Sequence, residues 1–68
     1  MSEEKQVEDL KIQFRRTTES ELRKQMLDTL SAYKNNGIDA INDLISTTID
    51  DEVKSHGLNL IKKIKENS

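Results

Sequence analysis

One histidine, His56, and no cysteine occur in this chain. Catalytic and metal-binding sites are built mostly from these two residue types, so the chemistry available narrows at once. A lone histidine without a second ligand at helical spacing makes no recognisable zinc site. His56 lies beside an apolar stripe and reads as an edge-of-core or solvated side chain. Asp50-Asp51-Glu52 is the densest run of carboxylates. Consecutive side chains at a helix start point in different directions, and the glycine and terminal glutamate of a calcium loop are missing at their spacing. The run is therefore expected to cap a helix. Asp39 and Asp43 share a face at i, i+4, with no second pair to complete a coordination shell, and read as a solvated face. Serines and threonines are common, but no nucleophile elbow or glycine-rich phosphate loop accompanies them. The expectation is a non-catalytic protein with no cofactor and no metal.

The cations admit another chemistry. Lys54, Lys62, Lys63 and Lys65 crowd the last part of the chain, and Arg15, Arg16, Arg23 and Lys24 lie around residues 15–24. If these groups converge, they form a patch able to neutralise a few phosphates. The alternative function is thus a small nucleic-acid-associated helical protein. Three features oppose it: a net charge of −2, no arginine in the last segment to read guanine, and only two aromatics, Phe14 and Tyr33, both on apolar stripes. Acids near the first residues and bases near the last also suit simple helix polarity.

The elements that would carry these residues are all helical. With no proline and only Gly37 and Gly57, caps must do the punctuation. A first helix is expected over about Ser2 to Arg16, with Val7, Leu10 and Phe14 on one face. Leu10, Ile12 and Phe14 also alternate, but a strand would leave Val7 unused and has no partner. The second helix is expected to open at a capping box, Thr18 to Glu21. Its stripe is Leu22, Met26, Leu30 and Tyr33, widened by Leu27, and its end falls at Asn35-Asn36-Gly37, where a left-handed residue is tolerated. The third covers Ile38 to Thr47, with Ile38, Ile41, Leu44, Ile45 and then Ile49. The fourth starts from Asp50 or Asp51 as N-cap and carries Val53, Gly57, Leu60, Ile61 and Ile64, widened by Leu58. A glycine inside a helix costs about 1 kcal/mol against alanine. Gly57 therefore predicts close backbone approach to a neighbouring helix.

The two halves match when slid by 31 residues. Leu22-Arg23-Lys24-Gln25-Met26-Leu27 lands on Val53-Lys54-Ser55-His56-Gly57-Leu58, Leu30 on Ile61, and Tyr33 on Ile64. Upstream, Val7, Leu10 and Phe14 fall on Ile38, Ile41 and Ile45. Such a period marks stacked units that bury their apolar faces against one another. A short helix, a tight turn and a longer helix opening Asp-x-x-Val-Lys resembles the HEAT repeat, in its short variety of about 30 residues. The second half carries the resemblance through Ile38, Ile41, Leu44, Ile45, Asp50, Val53, Lys54, Gly57, Leu58, Ile61 and Ile64. The first half follows more loosely, through Val7, Leu10, Phe14, Glu19, Leu22, Arg23, Met26, Leu27, Leu30 and Tyr33. The chain departs from the family in having two repeats and in placing Met26 where a small residue is usual. The resemblance implies an all-α single domain over residues 1–68, with four helices as two stacked hairpins: repeat 1 about 4–34 and repeat 2 about 35–66. It also implies protein–protein binding.

Sixty-eight residues with 32% apolar and 35% charged side chains make a small core, and such domains often lean on a neighbour. Surplus apolar residues on the second hairpin, Leu44, Leu58 and Leu60, are expected to form an exposed patch for a homodimer or a partner helix. The polar, acidic first residues do not fit a secretory signal, and no stretch approaches a membrane span. The expected compartment is the cytoplasm.

Overall fold

The computed structural model describes residues 2–67, and among them every regular element is a helix. The helices are α1 (Glu3–Arg16), α2 (Ser20–Ser31), α3 (Asn35–Thr47) and α4 (Asp51–Glu66). Ser2 caps α1, its hydroxyl accepting the Lys5 N–H. Asp50 caps α4, one carboxylate oxygen accepting the N–H groups of Glu52 and Val53. Both satisfy orphan donors of a first turn.

The expected capping box of α2 does not form. Thr18 is exposed and the helix starts at Ser20, with Glu19 as N-cap and no side-chain cap bond. The reason lies in the short connection: Arg23 Nε donates to the Thr17 carbonyl over 2.6 Å, and the Arg23 N–H closes the first turn on the Glu19 carbonyl. These bonds draw the chain back against α1 and leave Thr18 outside the turn.

The other boundary also moves. Helix α2 stops at Ser31, and Asn35, Asn36 and Gly37 form the first turn of α3 rather than the end of α2. The positive φ falls instead on Lys34, at 56°. Gly37 serves a different purpose: a Cβ there would fall on the carbonyl oxygen of Leu30. The turn from α2 to α3 is so tight that only hydrogen fits between them. Ile49, expected to extend the stripe of α3, lies in the connection to α4 and is 95% exposed.

Helix α1 packs on α2 and α3, and α4 packs on α2 and α3; α2 also touches α3, whereas α1 and α4 do not meet. Hydrogen bonds fix the directions. Ser20 to Asp50, Lys24 to Glu52 and Asp28 to His56 climb α2 and α4 in step, so these two helices run parallel. Lys11 and Arg15 both reach Asp43, and a shallow groove lined by Glu4, Val7, Asn36 and Ala40 continues the same parallel register between α1 and α3. The Tyr33 hydroxyl donates to Gln6 Oε1, which sets the end of α2 beside the start of α1.

The core collects Val7, Phe14, Leu27, Leu30, Ala40, Ile41, Leu44, Ile45, Val53 and Ile61. All come from the expected stripes except Ala40. Gly57 sits where α4 meets α3 and α2: an added Cβ would stand 2.6 Å from Ile45 Cγ2 and 3.2 Å from Ile41 Cγ2. The close approach predicted from its sequence position is there.

Candidate interaction surface

The residues with chemical potential are mostly spent on holding helices together. His56 Nε2 lies 2.7 Å from Asp28 Oδ1, bridging α4 to α2. Ser20 donates its hydroxyl to Asp50 Oδ2 across the same seam. That bond, the two backbone N–H groups at the start of α4 and the charge of Arg23 hold the Asp50 carboxyl below the usual carboxylate range. Asp43 is likewise held low, first by its hydrogen bond with Lys11 and further by Arg15. Its neighbour Asp39 is exposed. Among the described residues no group of three or more His, Cys, Asp or Glu side chains is placed to hold a metal ion.

The basic residues do not converge. Arg15 pairs with Asp43 at 3.2 Å, and Lys24 with Glu52 at 2.6 Å. The Lys24 ammonium is stabilised by that hydrogen bond and by Glu21, which raises its pKa. Arg23 lies over the ring of Phe14, 4.9 Å from its centre, and donates to Thr48 Oγ1 as well as to the Thr17 carbonyl. Lys62, Lys63 and Lys65 are exposed on the last turns of α4, and Lys54 is half-buried. Lys24 meets the first turn of α4, and at 1.5 Å per residue Lys62 lies about 15 Å further along. Lys62, Lys63 and Lys65 thus lie toward the far end of α4 from the Lys24 contact, and only Lys54 lies near it.

Apolar exposure is more selective. Leu58 is 57% exposed on α4, and Leu60 is half-buried against the core. Leu44, expected beside them, is wholly buried. It widens the stripe of α3 on its inner side, where α3 is flanked by all three other helices. Two further exposed residues lie on α1 and α2, Ile12 at 45% and Leu22 at 43%. Ile12 was visible in the sequence as an off-stripe residue. Leu22 was not, because it falls on the stripe of its helix, and periodicity cannot say whether a neighbour covers that end of the stripe.

The remaining surface has few features that select a ligand. No buried side-chain nitrogen or oxygen among the described residues lacks a hydrogen-bond partner. No helix among them is long and apolar enough to cross a membrane. Comparison with protein-family models, curated proteins and solved structures finds no match to the chain.

Proposed function

We propose that this chain is a non-catalytic protein-interaction module, built as two stacked HEAT-like hairpins, that self-associates through the outer face of α4. The observation that carries the reading is Leu58. A leucine more than half exposed stands among exposed Ser55, Asn59 and Lys62 on the same side of α4, a small apolar contact in a polar rim. Leu60, two residues on and so on another side of α4, is half-buried against the core and adds nothing to this contact. The parallel packing of α1 with α3 and of α2 with α4 supports the stacked-repeat description, since like helices then lie side by side. Sedimentation over micromolar to millimolar concentration tests the proposal. The wild type is expected to exceed the 7.8 kDa monomer mass, and Leu58→Lys to return it to monomer with helicity unchanged. A wild type that stays monomeric, or association indifferent to Leu58→Lys, would refute it.

A further inference from the structure

Two exposed apolar residues, Leu58 and Leu22, match buried positions in the other half of the chain. Leu58 is the 31-residue counterpart of Leu27, which is buried and lies within van der Waals reach of the Gly57 position on α4. Leu22 is the counterpart of Val53, also buried. Ile12 is the counterpart of Asp43, whose carboxylate faces α1 and binds Lys11 and Arg15. Thus Leu27 looks from the first hairpin toward the second, and Leu58 repeats that position on the second hairpin with no helix over it among the described residues. Val53 is buried one position after Glu52, which binds Lys24 of α2. Leu22, two residues before Lys24 and so about 200° around the helix from it, lies on the side of α2 turned away from α4. Of the four large exposed hydrophobics among the described residues, Leu58 and Leu22 thus match buried counterparts, whereas Ile12 matches the exposed Asp43. Ile49, the fourth, has Thr18 as counterpart and lies in a connection.

From this we infer that the occupant of the Leu58 face is the Leu22 face of a second copy, docked head to tail so that the contact between chains repeats the contact between hairpins. The inference rests on the self-association reading and gives it a geometry. A contact between unlike faces leaves a free face at each end, so assembly is open rather than closed by a two-fold axis. The polar seam is compatible. Carried over by 31 residues, the Lys24–Glu52 pair becomes Ser55 opposite Glu21, and the Asp28–His56 pair becomes Asn59 opposite Gln25, each able to share a hydrogen bond. The Lys11–Asp43 and Arg15–Asp43 pairs become Asn42 and Ser46 opposite Ile12, with no ion pair. The Ser20–Asp50 pair turns into two acids, Asp51 opposite Glu19. Screening of that repulsion makes association strengthen as salt rises, the reverse of a phosphate-binding surface.

Complementation tests the geometry. Leu22→Lys and Leu58→Lys each spoil one face, so each alone is expected to sediment as a monomer. Their mixture is expected to form a one-to-one pair at twice the monomer mass and to stop there, since the good face of each meets the good face of the other. The absence of native cysteine allows a second reading of the same contact. A Leu22→Cys chain mixed with a Leu58→Cys chain should give the mixed disulfide above its statistical share. If Leu22→Lys still associates, and the Leu58→Cys chain pairs with itself, the contact is symmetric through α4: the head-to-tail geometry is then wrong while the proposed function stands. A wild type that remains monomeric overturns both.

Discussion

Three single residues are held by geometry that their types either suit or resist. Lys34 adopts φ 56° and ψ −117°, a region that costs a residue with a Cβ on the order of 1–3 kcal/mol. Its N–H bonds the Ser31 carbonyl and its own carbonyl accepts from Ile38, so the turn overrides the preference. Lys34→Gly is expected to stabilise the fold by about 1 kcal/mol, read as a higher urea midpoint at unchanged slope. Gly37 behaves in the opposite sense. Any Cβ meets the Leu30 carbonyl, a backbone atom that cannot swing aside, so Gly37→Ala is expected to lower the melting temperature more than Gly57→Ala. At Gly57 the obstacle is side chain, Ile45 and Ile41; the helix propensity gained by alanine, about 1 kcal/mol, offsets part of the strain. A Gly37→Ala chain as stable as the wild type would show that this turn is looser than described. Arg23 is the residue whose role sequence spacing hid: it reads as a surface cation but ties the α1–α2 and α3–α4 connections through Thr17 and Thr48.

At the scale of elements, the helix starts divide into two held by a side chain, α1 and α4, and two that are not, α2 and α3. Asp50 accepts two backbone N–H groups and a hydroxyl from α2, so it caps α4 and ties it to its neighbour. Asp50→Ala should lower the melting temperature clearly, and Asp50→Asn, which still caps, should lower it less. Thr18→Ala should change nothing measurable, because Thr18 is exposed and outside α2. Calorimetry on the three variants gives the order directly; a Thr18→Ala loss comparable to that of Asp50→Ala would restore the capping box. The four helices themselves were legible from their stripes. Their ends were less so, because Thr17, Arg23 and Gly37 are used in contacts between elements, which local capping rules do not contain.

For the whole molecule, the same residue type at matched positions separates core from surface. Leu27→Ala is expected to cost about 2–5 kcal/mol through lost burial and the cavity left behind, a large share of the stability of so small a domain. Leu58→Ala, an exposed change, should lie within about 0.5 kcal/mol. Equal losses at the two sites would remove the asymmetry on which the docking face depends. Stability should also vary with pH through the seams. Asp43 and Asp50 have folded-state pKa values below their unfolded ones. Their contribution is complete above the ordinary carboxylate pKa, about 3.9 for aspartate, and is lost as pH falls through the folded values. Lys11 and Lys24 are raised, so theirs is complete below about pH 10.4 and fades as pH rises through the folded values. Acid melts of Asp43→Asn should therefore fall less steeply below pH 4 than those of the wild type.

The sequence by itself determined the helical class, the stripes that supply nearly all of the core, a cap at Asp50 or Asp51 and the close approach at Gly57. Each of these is local: it depends on side-chain period, or on one residue's own conformational preference. Tertiary structure decided which part of each stripe is covered. Leu27 and Leu58 occupy the same position in matched segments, yet one is buried and the other exposed; Val53 and Leu22 repeat the contrast. A stripe records that a helix has an apolar side, whereas burial requires a second helix to lie against it. Such a neighbour covers Leu27 and Val53, and none among the described residues covers Leu58 or Leu22.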